Sequence, residues 1–263
     1  MRPISDDVYL EVDGSVASLV LNRPAKRNAL TFDMWDRIPV LLAQFEQDPA
    51  LRVLIVRGAG GRAFSAGADI SEFETLRASS TQTQVYNATT ARAQDMLAGL
   101  SKPTIALVQG VCVGGGCGVA LSCDLRYSDG SGTFAITPAK LGIVYPVSVT
   151  KRLVDLVGPA HAKAILLTGM ALDATRAREL GLVNDVFAAE TIDDDVRAVA
   201  DTVATRAQYS VRTMKRIIEL VAAGLTQEND ETLALRSAAF DTADYREGVR
   251  AFMEKRPADF SNV

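Results

Sequence analysis

The sequence predicts an α/β protein in which a core of strands and helices is followed by a helical C-terminal region. Continuous apolar runs at 53–56 (VLIV) and 105–108 (IALV) are typical of strands buried on both faces of a parallel sheet. A helical stretch near 85–100 separates them, which predicts βα units joined by right-handed crossovers. From about residue 147 onward the apolar spacing is helical, apart from one short strand predicted at 183–187.

The remaining elements follow from local signals along the chain. Strand-like runs at 8–12 and 16–21 flank an Asp-Gly pair, which predicts a hairpin. Thr31 can cap a helix, because apolar residues recur after it at helical spacing. Residues 76–90 are rich in Ser, Thr and Gln, and we expect a mobile loop or a loosely held helix there. The later helices are predicted at 148–157, 160–168, 174–180, 190–206, 209–223, 227–240 and 244–255.

Composition and charge limit the function classes. The chain has 263 residues, of which 48% are hydrophobic and 23% charged, as in an ordinary globular protein with a sizeable core. The formal net charge of −4 disfavours a general nucleic-acid or membrane-surface binder. No apolar run approaches the roughly 18–20 residues of a membrane helix. The first fifteen residues also lack the apolar core of a secretory signal, so we expect a cytoplasmic protein.

The cysteine and histidine content argues against a metal site. Cys112, Cys117 and Cys123 are spaced unlike a CxxC motif and lie in an apolar stretch, so we expect small buried hydrophobes in a reducing compartment. His161 is the only histidine, and its position after a Gly-Pro pair predicts a surface residue. Acid–base chemistry is therefore left to carboxylates, Tyr, Lys, Cys or backbone groups.

Two glycine-rich segments, 62–70 and 110–118, depart from ordinary packing. Small residues let a ligand approach the backbone closely. The second segment leads into a plausible helix, and the unpaired N–H groups at a helix N-terminus suit an oxygen that becomes anionic during a reaction. The alternative is that the glycines only allow tight packing between a helix and a sheet. Neither segment matches a dinucleotide-binding or P-loop motif.

Five segments carry a resemblance to a known family: LNRPAKRNAL at 21–30, AFSAGADI at 63–70, GGG at 114–116 with CDL at 123–125, the pattern A…A…GLVN from 171 to 184, and FMEKR at 252–256. Taken together and in this order, they resemble the crotonase family of enoyl-CoA hydratases and isomerases. The resemblance implies a spiral of ββα units over residues 1–200 and a helical trimerisation region over 201–263. It also implies a homotrimer, or a hexamer built from two trimers.

The resemblance also implies roles for individual residues. Ala68 and Gly115 would supply the two backbone N–H groups of an oxyanion hole for an acyl-CoA thioester. Coenzyme A would be part of the substrate, with no separate cofactor. Two of the residues implied to contact coenzyme A have another interpretation. Asp69 is expected to have a structural role in fixing its loop, and the alternative for Lys255 is a solvated cation at a helix end. The residues implied to contact coenzyme A are Ala25, Lys26, Arg27, Ala66, Gly67, Asp69, Ile70, Phe252 and Lys255.

The sequence departs from the family at its two acids. The best-known hydratases use a glutamate after the glycine triplet and a second one later, and these positions fall on Gly118 and Pro138. Because neither residue can transfer a proton, classical hydration is in doubt. Glu72 and Glu74, after the first oxyanion motif, are candidates for a displaced carboxylate.

The segment from Thr137 to Tyr145 is similar to the corresponding segment of the family's methylmalonyl-CoA decarboxylases. The Thr137 hydroxyl and the Tyr145 phenol could then orient a substrate carboxylate by hydrogen bonding. At Ala68 and Gly118 those enzymes instead have a histidine and a glutamate. Three hypotheses stay open: an acyl-CoA lyase or isomerase that stabilises an enolate in fatty-acid or aromatic-acid degradation, a decarboxylase of a malonyl-type CoA ester, and a non-catalytic acyl-CoA-binding protein.

Overall fold

The structure, a computed structural model, describes residues 6–260. Within that range the chain forms two sheets surrounded by helices. The strands are β1 (Val8–Asp13), β2 (Val16–Leu21), β3 (Val53–Gly58), β4 (Ala63–Ser65), β5 (Thr104–Val108), β6 (Val111–Val113), β7 (Leu125–Asp129), β8 (Thr133–Ala135), β9 (Ala171–Asp173) and β10 (Asp185–Phe187). The helices are α1 (Phe32–Gln47), α2 (Phe73–Leu76), α3 (Ser80–Ala98), α4 (Gly115–Leu121), α5 (Pro138–Leu141), α6 (Val147–Thr168), α7 (Ala174–Glu179), α8 (Ile192–Ala204), α9 (Gln208–Ala222), α10 (Asp230–Ala238) and α11 (Ala243–Glu254).

The first sheet has the strand order β1-β2-β3-β5-β7-β10. Its neighbours are parallel except for β1, which pairs antiparallel with β2. The predicted hairpin is thus confirmed, and Gly14 occupies its turn with a φ of 62° that favours glycine. The buried parallel strands predicted at 53–56 and 105–108 are confirmed as β3 and β5. The strand predicted at 183–187 is confirmed as β10.

The second sheet has the order β4-β6-β8-β9 and consists of three-residue strands. The sequence did not predict these strands, because three residues show too little alternation to be recognised. The strands β4, β6 and β8 each follow a first-sheet strand directly, and a helix comes next. This repeated ββα unit confirms the expected spiral. It also places the glycine-rich segments where the chain leaves the short strands for a helix.

The core lies on both faces of the first sheet. Along β3, Leu54 and Val56 belong to the main core cluster, which α1, α3, α4 and α6 also line. Val53 and Ile55 face the other way, into a smaller cluster covered by α8. Burial on both faces explains why this strand is a continuous apolar run rather than an alternating one.

The helical predictions are largely confirmed. The two helices predicted at 148–157 and 160–168 are confirmed as the two halves of α6, which meet at a kink at Gly158, where φ is 73° and the backbone is not helical. Of the two alternatives predicted for 76–90, the helix is right from Ser80 onward and the mobile loop is wrong. The helix is capped by the Ser79 hydroxyl and anchored by the buried side chain of Tyr86. Between residues 6 and 260 no helix combines the length and the hydropathy that crossing a bilayer requires.

The division of the chain at residue 200 stays a prediction. Helix α8 runs through this position and packs on β2, β3, β5 and β7 of the first sheet. The helices from α9 onward follow it. The predictions made for the first five residues lie outside the described part of the chain.

Candidate active site

The two glycine-rich segments meet at the N-terminal end of α4. Gly67 has a φ of 92°, and a Cβ atom added there would lie 2.7 Å from the Val113 carbonyl oxygen and 3.2 Å from the Gly115 nitrogen. A Cβ atom added at Gly115 would lie 3.5 Å from the Ala68 nitrogen. The backbone of residues 67–68 therefore lies directly against the first turn of α4, and only glycine allows so close an approach.

The N–H groups of Ala68 and Gly115 have no acceptor among the described residues. Around Ala68 the backbone is paired with Leu30, whose N–H donates to the Gly67 oxygen and whose oxygen accepts from the Asp69 N–H. This pairing leaves the intervening N–H of Ala68 free. Gly115 is the first residue of α4, so its N–H has no partner within the helix. Two unpaired donors thus lie close together.

Residues 22–30 form a loop that is fastened to the core through Asn28. This side chain is fully buried; its Nδ2 donates to the carbonyl oxygens of Ala59 and Ala63, and its Oδ1 accepts from the Arg23 N–H. The Ala66 N–H donates to the Arg27 oxygen, which ties the loop to the first glycine-rich segment.

A pocket of about 410 Å³ opens beside this loop. Ala25 and Arg27 line it, and Lys26 lies between them, exposed on the same 3₁₀ turn. The other lining residues are Pro24, Asn28, Ala59, Gly60, Arg62 and Ala63. Two of the residues predicted to contact coenzyme A, Ala25 and Arg27, thus line one pocket.

Asp69 holds the first glycine-rich segment in place. Its Oδ1 accepts from the Ser71 hydroxyl at 2.7 Å and from the Ser71 N–H, and its Oδ2 accepts from Arg23 at 2.8 Å. The hydrogen bond from Ser71 and that from Arg23 lower the pKa of this carboxyl. These contacts agree with the structural role in fixing the loop that we predicted for Asp69. The next residue, Ile70, is exposed at the start of a 3₁₀ turn.

Tyr145 lies close to the start of α4. Its hydroxyl oxygen is 3.9 Å from the Cβ position of Gly114, and it makes no hydrogen bond to any residue between 6 and 260. Burial raises the pKa of the phenol well above its usual range, with a smaller contribution from Cys117, so the group is neutral. The half-buried hydroxyl of Thr137 also has no partner in the described chain.

The buried cysteines behave as predicted. Cys112, Cys117 and Cys123 are free and buried in the core. Burial is the main cause that raises the pKa of Cys112 and of Cys123, the latter to about 12. Neutral thiols in apolar surroundings act as small hydrophobes, and they are not nucleophiles. His161 is exposed, which confirms its predicted position.

The position of Gly118 is filled from another helix. A Cβ atom added there would lie 2.6 Å from Nε2 of Gln94, on α3. Gln94 is 7% exposed. Its amide makes no hydrogen bond to a described residue, and the amide is not fully sealed from solvent. We did not predict this residue; the available signal was a glutamine on the buried face of α3, among Ala93 and Leu97.

The candidate carboxylates differ in their surroundings. Oε2 of Glu72 accepts from the Phe32 N–H at 2.8 Å, so this carboxylate holds the first turn of α1. Burial raises the pKa of Glu72, and the hydrogen bond from Phe32 opposes that rise. Glu74 is exposed on α2. Pro138, at the second glutamate position, is buried as the first residue of α5.

Phe252 and Lys255 are not brought to the pocket by this chain alone. Both are exposed at the C-terminal end of α11, where Lys255 adopts a left-handed conformation with a φ of 54°. Helix α11 packs mainly against the 3₁₀ turn Ala239–Asp241. The predicted contact of these two residues with coenzyme A stays a prediction.

The spiral of ββα units and the paired glycine-rich loops define a crotonase-like α/β protein. The family model for enoyl-CoA hydratase/isomerase matches residues 11–262, and the chain belongs to this family.

Similar proteins are known both as sequences and as structures. The crotonyl-CoA hydratase of Syntrophomonas wolfei is 33% identical over 97% of this chain and 98% of that protein. A solved enoyl-CoA hydratase/isomerase family protein from Hyphomonas neptunium has 40% identity and a TM-score of 0.94, with 97% of each chain covered. An enoyl-CoA hydratase/carnithine racemase from Magnetospirillum magneticum has 36% identity and a TM-score of 0.93, with 98% and 96% covered. These matches confirm the family that the sequence motifs indicated.

Proposed function

We propose that the protein binds an acyl-CoA and stabilises the enolate of its thioester between the N–H groups of Ala68 and Gly115. The observation that carries this proposal is the close approach of these two unpaired donors at the start of α4. Fixed donors aimed at one point stabilise the negative charge that develops on a carbonyl oxygen, and they need no reorganisation during the reaction. The donors are backbone groups, so they do not depend on the missing acids.

The pocket beside Ala25 and Arg27 supports coenzyme A binding. Its rim carries the exposed cations Lys26, Arg27 and Arg62, which suit the phosphates of coenzyme A. A backbone hydrogen bond from Ala66 to Arg27 ties the loop at this pocket to the first glycine-rich segment. Coenzyme A arrives as part of the substrate, and the reaction needs no further cofactor. The setting is acyl-CoA degradation in the cytoplasm.

The reaction that fits the site proceeds through an enolate without the usual pair of acids. Gly118 and Pro138 carry no titratable group, and the amide of Gln94 occupies the space beside Gly118. Losing general acid–base help costs about 10²–10⁴ in rate per group. Breaking a carbon–carbon bond at the α-carbon forms the enolate without removing a proton, so lyase chemistry of this kind is favoured over hydration and over isomerisation by proton transfer, although several relatives are named as hydratases.

Replacing Ala68 by proline tests the oxyanion hole. Proline removes the N–H but no internal hydrogen bond, because this N–H has no acceptor within the described chain. With whichever acyl-CoA is turned over, kcat should fall about 10²–10³-fold. Ala68→Ser keeps the N–H and is the matched control. Equal rates in the two variants would contradict the proposed role of Ala68.

Decarboxylation of a malonyl-type CoA ester is a second candidate, and the hydroxyl of Tyr145 favours it. The electron pair of the breaking bond between the α-carbon and the carboxylate moves into the thioester enolate, carbon dioxide leaves, and the α-carbon then takes a proton from water. No base is needed. The neutral phenol of Tyr145, which has no hydrogen-bond partner in residues 6–260, and the Thr137 hydroxyl are donors that would orient the carboxylate.

The substrate class is tested with crotonyl-CoA and methylmalonyl-CoA, by following enoyl absorbance and released carbon dioxide. The decarboxylase hypothesis expects carbon dioxide release that drops at least about 10-fold in Tyr145→Phe and in Thr137→Val, since each change removes one hydrogen bond to a charged group. Rapid hydration of crotonyl-CoA would instead show that another carboxylate acts. No turnover of either substrate, with both bound, would favour a different acyl group or a binding protein.

A further inference from the structure

One face of α4, which we call the bare face, carries Gly114 and Gly118 and so has no side chain of its own. The Gly118 N–H donates to the Gly114 oxygen at 3.0 Å, so the two glycines lie one helical turn apart on the same side of the helix. Two polar side chains from other segments approach this face. The Tyr145 hydroxyl lies 3.9 Å from the Cβ position of Gly114, and Nε2 of Gln94 lies 2.6 Å from that of Gly118.

The amide of Gln94 has no partner among the described residues. Gln94 is 7% exposed and lies on the face of α3 that also buries Ala93 and Leu97. Its amide is unpaired but not fully sealed from solvent. Buried polar groups in folded proteins are almost always paired, so an amide in this position needs a partner from outside the chain. Because an amide nitrogen donates two hydrogen bonds, an oxygen acceptor suits it.

The other directions around the first turn of α4 are closed by packing. A Cβ atom at Gly115 would lie 3.0 Å from Cζ2 of Trp35, and one at Gly116 would lie 2.6 Å from that of Ser65. The side chain of Cys117 is buried in the main core cluster. An acyl group whose thioester oxygen accepts from the Gly115 N–H is therefore directed along the bare face.

The third carbon of the acyl group falls within reach of Gln94 on this face. Gly118 lies about 4.5 Å further along the helix axis than Gly115, since an α-helix rises about 1.5 Å per residue. An oxygen on the third carbon is separated from the thioester carbon by two carbon–carbon bonds of about 1.5 Å and one carbon–oxygen bond of about 1.2 Å, which together extend over a comparable distance. Such an oxygen would give the amide of Gln94 its acceptor.

We propose that Gln94 is a specificity-determining residue whose amide donates a hydrogen bond to an oxygen on the third carbon of the acyl group. This inference rests on the proposed function, since it takes the thioester oxygen to lie between the N–H groups of Ala68 and Gly115. The oxygen belongs to a ketone in a 3-oxoacyl-CoA and to the carboxylate in a malonyl-type CoA ester. A saturated acyl group has no acceptor there, so binding it would leave the buried amide unpaired, at a cost in affinity.

The test compares butyryl-CoA, acetoacetyl-CoA and malonyl-CoA, whose third carbons are a methylene, a ketone and a carboxylate. Calorimetric titration of the purified protein should give a Kd for acetoacetyl-CoA about 2–10-fold lower than that for butyryl-CoA, the range expected for one hydrogen bond between neutral groups. A Kd for malonyl-CoA at least about 10-fold lower than that for butyryl-CoA would identify a carboxylate as the preferred source of the oxygen, because hydrogen bonds to charged groups are stronger.

Gln94→Met keeps the length of the side chain and removes the amide. It should reduce the preference for the oxygenated esters by about the same 2–10-fold. The Kd for butyryl-CoA should stay the same, which also shows that the variant is folded. Gln94→Asn retracts the amide by one methylene and should lose the same preference, so it serves if Gln94→Met does not fold. Gln84→Met changes an exposed glutamine on the same helix and is the matched control.

Three results would be decisive against these assignments. Equal affinity of the native protein for all three esters would overturn the role of Gln94 and leave the proposed function standing. A preference that survives unchanged in both Gln94 variants would also overturn it, since other residues would then recognise the oxygen. Failure of the native protein to bind any of the three esters would overturn the proposed function itself.

Discussion

At the N-terminal end of α4, three adjacent glycines meet three different requirements. Gly114 has a φ of 55°, which favours glycine. A Cβ atom at Gly116 would lie 2.6 Å from that of Ser65, so this glycine allows α4 to pack on β4. Gly115 lies between them with its N–H free and next to Ala68. Tight packing and a backbone donor site, which the sequence offered as alternatives, therefore occur together in neighbouring residues.

Gly118 carries no titratable group, and the side chain of Gln94 lies beside it. An acid placed at residue 118 meets the amide of Gln94 at 2.6 Å from its Cβ position. Gly118→Glu alone should therefore add little crotonyl-CoA hydration, since Gln94 obstructs the new side chain. Combined with Gln94→Ala, it should raise kcat/KM for hydration at least about 10²-fold, because one general acid–base group is restored. The rate is followed by the loss of enoyl absorbance.

Gly118→Gln combined with Gln94→Ala is the control for this experiment. It has nearly the same shape as the designed acid but cannot transfer a proton. If the two double variants hydrate crotonyl-CoA at the same rate, position 118 does not face the reacting carbon. That outcome would contradict the placement of the acyl group beside residue 118. It would leave the proposed oxyanion hole standing, because neither change alters Ala68 or Gly115.

At the scale of elements, the sequence predicted what local patterns determine. The hairpin of β1 and β2, helix α1, and the C-terminal helices follow from periodicity and capping signals that a short window contains. The strands β4, β6, β8 and β9 could not be predicted in this way. Each has three residues, and its pairing partner is distant along the chain.

The same reasoning separates the parts of the candidate site that could and could not be predicted. Ala68 and Gly115 were identified from family motifs, because a backbone donor depends on local sequence. Gln94 was not identified as part of the site. Its importance comes from the contact with Gly118 that folding creates between α3 and α4. The polar sequence at the start of α3 left a mobile loop open as an alternative to a loosely held helix, although one face of this helix is buried.

At the scale of the whole molecule, the C-terminal helices expose apolar surface. Helix α9 is amphipathic, yet no residue along its length is buried. Lys215, on one side, bonds to Asp124 and to the Lys102 carbonyl oxygen, which fixes the helix on its own core. Met214, Ile218 and Val221 form a stripe at helical spacing and are each more than half exposed. A contiguous stripe of this kind is typical of a protein interface.

We therefore expect the protein to assemble through α9 as a trimer or a pair of trimers. Light scattering after size-exclusion chromatography should give three or six times the chain mass of 28.1 kDa. Met214→Glu combined with Ile218→Glu places two charges in the stripe, and burying unpaired charges is costly, so the mass should fall to that of one chain. Val40→Glu changes an exposed apolar residue on α1 and should leave the assembly intact. A native mass of one chain, or an unchanged mass in the double variant, would contradict an interface at α9.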